Sequence, residues 1–196
     1  MPNNEKSLLD LTVRELFDSV AARTSAPGGG GAAALVTALA AALTGMASRF
    51  GDGAAVAEAD DLRGRATPLA DADAAAYQAF LDAVRLPHDD PSRPAAVATA
   101  RRDAIGVPTE IGELAAAVAE LAAGLARDGN PRLRGDAVAA VRLAAAAAAT
   151  AAELAAVNVH GAEGTADLER ARTAATAARH RVTELDREQP GPLTTG

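Results

Sequence analysis

Three kinds of residue in this chain have the chemistry to move a proton or hold a small polar molecule: two carboxylates, two amides and a glycine run. Ser25-Ala26-Pro27-Gly28-Gly29-Gly30-Gly31 leads straight into an Ala-rich helical segment. Glycine lets backbone N–H groups come close to a ligand, and a helix N-terminus favours anions. Pro27, Gly28, Gly29 and Gly30 are therefore candidate binding positions. No Gly-Lys-Ser/Thr follows, so the run is not a P-loop, and it lacks the strand that a dinucleotide fingerprint requires. The bland alternative is a tight turn.

Asp73 is the first candidate acid or base. It shares a helix face with Tyr77, Phe80 and Val84 at spacings of four, three and four. The alternative is a solvated carboxylate in a locally acidic stretch, with Asp71 and Asp82 near it. Asp136 is the second, and an N-cap role also explains it. Asn130 suits the turn Asp128-Gly129-Asn130-Pro131. Asn158 ends a nearly all-Ala helix, and its amide needs partners if it is buried. Histidines stand only at positions 88, 160 and 180, without metal-ligand spacing and without HExxH. His160 and His180 are expected at the surface. Cysteine is absent, so no thiolate attacks a substrate or binds zinc.

The elements that must position these residues are helices. Alanine supplies 55 of 196 residues and aromatics 2%, which favours helix and removes a mostly-β fold. The length fits one domain. A net charge of −7 with so few aromatics argues against nucleic-acid binding. Met1–Lys6 opens no signal-peptide core, and the expected compartment is the cytoplasm. The uncharged stretch from Thr24 to Ser48 is long enough to span a bilayer, but Ala and Gly supply little transfer free energy, so it reads as a buried central helix.

The first helix begins after Thr12, where Thr12-Val13-Arg14-Glu15 fits a capping box. The second runs from about Gly31 to Phe50, with Leu35, Leu39, Leu43 and Met46 in register. A long helical stretch to about Arg85 is kinked or divided by Pro68. Further helices are expected from Ser92 to Arg127 with an interruption at Pro108, from Asp136 to about His160, and from Thr165 to about Glu184. Residues 1–185 thus form one helical domain, an elongated all-α bundle, and 186–196 a frayed tail. Thin Ala-faced helices bury little apolar area each, so a homodimer is expected.

Taken in order, these pieces resemble the formiminotetrahydrofolate cyclodeaminase / methenyltetrahydrofolate cyclohydrolase family. The resemblance rests on Leu8-Leu9-Asp10-Leu11-Thr12-Val13, then Ser25 to Gly30 opening a small-residue helix with Met46. Asp73-Ala74-Ala75-Ala76-Tyr77 with Leu86-Pro87 follows, then Val107-Pro108, Gly129-Asn130 before Gly135-Asp136, and Asn158-Val159. It covers residues 8 to 163. Family members usually carry Ser where Gly31 stands, Lys at His88, Ser at Gly135 and a second Asn at Ala162.

The resemblance implies an all-helical, dimeric enzyme of one-carbon folate metabolism. It acts either as a cyclodeaminase, which turns 5-formiminotetrahydrofolate into 5,10-methenyltetrahydrofolate and ammonia, or as a cyclohydrolase. Asp73 and Asp136 would share the proton transfer. Pro27, Gly28, Gly29, Gly30, Tyr77, Asn130 and Asn158 would bind a tetrahydrofolate substrate, with no metal and no further cofactor. The partners implied are a small-molecule substrate and a second copy of the chain, without nucleic acid or membrane. Two other readings compete: a relative repurposed for C–N cleavage or cyclisation on a non-folate substrate, and a non-catalytic helical binding protein.

Overall fold

The computed structural model describes residues 7–159 and 164–188, and every regular element among them is helical. A short 3-10 turn, Leu8–Asp10, precedes α1 (Val13–Ala21), α2 (Gly29–Arg49), α3 (Val56–Ala66), α4 (Leu69–Arg85) and α5 (Arg93–Asp128). A second 3-10 turn, Pro131–Leu133, leads into α6 (Arg134–Asn158) and α7 (Thr165–Glu188).

Local chemistry sets several of these boundaries. The Thr12 Oγ1 accepts the Glu15 N–H at 3.3 Å, and the Glu15 carboxylate accepts the Thr12 N–H at 2.7 Å. That reciprocal pair is the capping box. Pro68 stands between α3 and α4 and divides them. Pro108, by contrast, lies inside α5, which continues unbroken to Asp128. Asp136 is the third residue of α6 and not its cap. The 3-10 turn feeds directly into the helix, so the capping side chain lies further upstream: Asn130 Oδ1 accepts the Arg132 N–H at 3.0 Å. Helix α7 passes the expected end and reaches Glu188, with Arg142 paired to Asp186 in its last turns. Residues 189–196, His160 and Ala162 lie outside the described residues.

The core is built on small side chains. The buried face of α2 is Gly30, Ala33, Ala34, Thr37, Ala40, Ala41, Thr44 and Ser48, while Leu39 is 55% exposed. Leu35 and Leu43 pack at the edge of the core, and the Ala/Gly stripe lets neighbouring helices approach closely. Thr37 and Thr44 donate their hydroxyls to the carbonyls of Ala33 and Ala40 at 2.8 Å, so neither buried oxygen lacks a partner. Two stretches, Gly29–Arg49 and Pro131–Asn158, are long and apolar enough to cross a membrane by length and composition. The first is mostly buried, packed against α3, α4, α5 and α6.

Directions follow from the contacts. Gly29 approaches Leu154 at one end of α2, and Phe50 meets Asn130 at the other, so α2 and α6 run antiparallel. Helix α5 is also antiparallel to α6, pairing Ala104 with Asn158 and Gly112 with Ala151. Helix α7 lies parallel to α5, tied by Glu113–Arg170 and Glu120–Arg181 ion pairs. The N-terminus of α2, the N-terminal half of α4 and the C-terminus of α6 thereby meet at one end of the bundle.

Candidate functional site

That meeting point is a cleft of about 230 Å³, which among the predicted residues gathers Gly28, Gly29, Gly30, Asp73, Tyr77 and Asn158. Its walls are otherwise largely apolar: Ala26, Ala76, Ala104, Pro108, Leu154 and Val157.

Asp73 is delivered from the second turn of α4 to the first turn of α2. Its Oδ2 accepts the Gly31 N–H at 3.0 Å. Gly28 holds the N-cap position of α2 without a side-chain hydrogen bond, so a carboxylate from another helix satisfies one of the orphan N–H groups. The approach depends on glycine: a Cβ on Gly30 would stand 2.0 Å from Asp73 Oδ1. Burial pushes the Asp73 carboxyl above its ordinary pKa, and the Gly31 hydrogen bond offsets part of that rise. A carboxyl of this kind, held on one oxygen and set in a mostly apolar cleft, is suited to trade a proton with a bound molecule.

The glycine run also does something the expectation did not include. Gly30 makes room for Asp73, and the Gly31 N–H is spent on that carboxylate. Gly31 is itself buried, and a Cβ there would lie 3.3 Å from the Ala70 carbonyl oxygen, closer than an ordinary contact. Pro27 packs beside Gly31 and is not among the residues lining the cleft.

Asn158 is fixed by a defect in α5. Pro108 has no N–H, so the carbonyl of Ala104, four residues before it, loses its helical donor. Asn158 Nδ2 supplies the missing bond at 2.9 Å. Pro108, Ala104 and Leu154 are site residues that the sequence reading did not place. The interior proline and the terminal asparagine were the available signal. Asn158→Ala should cost about 1–3 kcal/mol by orphaning the Ala104 carbonyl. Adding Pro108→Ala, which restores an N–H inside α5, should remove most of that cost. A thermodynamic cycle of chemical-denaturation free energies checks this, and strict additivity would contradict it.

Asn130 and Asp136 are not at this cleft within one chain. Asn130 donates its amide to the Phe50 carbonyl at 2.7 Å, at the far end of α2. Asp136 lies in the first turn of α6, about 33 Å from Asn158 along the helix at ~1.5 Å per residue. His88 stands exposed just beyond α4, and among the described residues no group of three or more His, Cys, Asp or Glu side chains has metal-binding geometry.

Residues 12–178 match the family model described as Formiminotransferase-cyclodeaminase. The formimidoyltransferase-cyclodeaminase of Mus musculus is 35% identical over 125 residues, which are 56% of this chain and 23% of that protein. The Sus scrofa counterpart is 34% identical over 148 residues, covering 67% and 27% respectively. The chain spans about a quarter of the length of these curated relatives. A crystal structure of formiminotetrahydrofolate cyclodeaminase from Thermotoga maritima superposes with a TM-score of 0.79 at 22% identity, covering 91% of this chain and 97% of that one.

Proposed function

The chain belongs to the formiminotransferase-cyclodeaminase family, and from that premise we propose that its cleft carries out the cyclodeaminase reaction on 5-formiminotetrahydrofolate. In that reaction N10 attacks the formimino carbon, the carbon becomes tetrahedral between N5, N10 and an amino group, and ammonia leaves. One proton must come off N10 and one must reach the departing nitrogen. Both nitrogens sit on the same carbon, so a single carboxyl beside it can take the first and give the second. The observation that carries this reading is Asp73: a half-buried carboxyl with a raised pKa, anchored through one oxygen at a glycine-lined helix terminus. No electron changes hands, so the chemistry calls for no redox cofactor, and the cytoplasm remains the proposed setting.

A homodimer belongs to the same proposal. Val13, Phe17 and Val20 form one exposed apolar face of α1, and Leu39 and Phe50 are exposed on α2 and at its end. Surfaces of this kind mark contacts between chains. Asp136, remote from Asp73 within one chain, can reach a cleft only across such a contact.

The deciding experiment follows the near-ultraviolet absorbance of 5,10-methenyltetrahydrofolate. With 5-formiminotetrahydrofolate the absorbance should rise and ammonia should appear in equal amount. An unchanged absorbance from folded protein would overturn the reading.

A further inference from the structure

Arg101 lies on α5, three residues before Ala104 and seven before Pro108, both of which line the cleft. At ~100° per residue these three positions fall within about 60° of one another around the helix. Arg101 therefore projects from the cleft-facing side of α5, one turn beyond the cleft wall. Among the described residues no hydrogen bond or ion pair engages its guanidinium, and its Nε is shielded from solvent without an acceptor. The only other shielded nitrogen of this kind among the described residues, Nε of Arg181, faces Glu120, and the same guanidinium pairs with Glu184 through Nη1. Arg49, Arg142 and Arg170 likewise face Asp60, Asp186 and Glu113. Among the described residues Arg101 alone combines a shielded Nε with no carboxylate, and its two terminal amino groups, which are neither buried nor paired, are the donors a ligand can reach.

We propose that Arg101 binds a carboxylate of the substrate at the mouth of the cleft. Guanidinium donors match a carboxylate in a planar fork, which makes arginine the fitting residue. The cleft, at about 230 Å³, is smaller than the ~300–1,000 Å³ that encloses most of a drug-sized ligand. It takes the ring end of an extended molecule and leaves the remainder outside, over the α5 side of the opening. This assignment rests on the folate reading, because a folate has its reacting ring at one end and its glutamyl carboxylates at the other.

The test compares 5-formyltetrahydrofolate, a stable analogue of the substrate, with its diamide, in which both glutamyl carboxylates are carboxamides. Calorimetry with the wild-type protein should give affinity about 10–100-fold higher for the acid than for the diamide, the range of a charged hydrogen-bonded contact. Arg101→Met should lower the affinity for the acid to that of the diamide, and Arg101→Lys should recover part of the difference. In turnover, Arg101→Met should raise KM and leave kcat near the wild-type value. Equal wild-type affinity for the two ligands, or a difference that persists in Arg101→Met, would overturn the assignment while leaving the ring site intact. Folded wild-type protein that binds neither ligand would overturn the folate reading and this assignment with it.

Discussion

Asp73→Asn should lower cyclodeaminase turnover by about 10²–10⁴, the range for a positioned acid–base group, with the helical circular dichroism unchanged. Asparagine keeps the shape of the side chain and can still accept the Gly31 N–H through its carbonyl oxygen. It cannot take up and release a proton. Stability separates the two roles further. Burial holds the Asp73 carboxyl above its ordinary pKa in the folded chain, so the native state binds that proton more tightly than the unfolded state does. The group then supports folding most at low pH. Its support declines as the pH rises from the ordinary carboxylate range through the raised native pKa, and is level above it. The asparagine variant has no charge to desolvate. Relative to wild type it should gain stability between acid pH and neutrality, as thermal midpoints across that range would show. Near-wild-type turnover would remove Asp73 from the chemistry. A fall in turnover with loss of helix would reduce it to a structural cap.

Gly30→Ala should have the next largest effect. The added methyl would lie 2.0, 2.3 and 2.6 Å from Oδ1, Cγ and Oδ2 of Asp73, so the whole carboxyl must swing away. Alanine is better than glycine in a helix by about 1 kcal/mol, which offsets part of the strain, and the melting temperature should move little. Activity should nonetheless fall by about 10²-fold, because a displacement of this order takes a catalytic group out of line. Gly106→Ala is the control. Among the described residues nothing beyond its own helix backbone and chain neighbours lies within 4 Å of a Cβ there, and it should be active and slightly more stable. Steady-state kinetics of the two variants side by side decide the point. Equal activity would show that the close approach of α2 to Asp73 is unimportant.

Local signals in the sequence were readable because their physics is local. Thr12 and Glu15 stand three apart and cap each other, and Pro68 divides two helices as its missing N–H requires. The glycine run, Asp73, Tyr77 and Asn158 could be named as candidates from residue type and order. What they do for one another could not. The Asp73–Gly31 bond joins residues 42 apart, and the Asn158–Ala104 bond residues 54 apart. Pro108 misled for the same reason. A proline inside a helix strands a carbonyl four residues back, and here a donor for it comes from the end of α6. Asp136 looked like a cap because its type suits one, whereas α6 starts after Leu133 with no side-chain cap, and Asn130 caps the 3-10 turn before it. The leucines of α2 stand in register, and the close-packed face beside them is the alanine, glycine and threonine stripe. Among thin helices, small residues decide who is inside.

The proposed folate site lies between the first turn of α2 and the N-terminal half of α4. The chain has one tyrosine and no tryptophan, and that tyrosine, Tyr77, lines the cleft. Protein made with 3-fluorotyrosine therefore carries a single fluorine reporter at the proposed site. Titration with 5-formyltetrahydrofolate should shift its resonance saturably, with the same dissociation constant that calorimetry returns. Saturable heat of binding with an unmoved fluorine resonance would place the ligand elsewhere on the bundle and contradict the account.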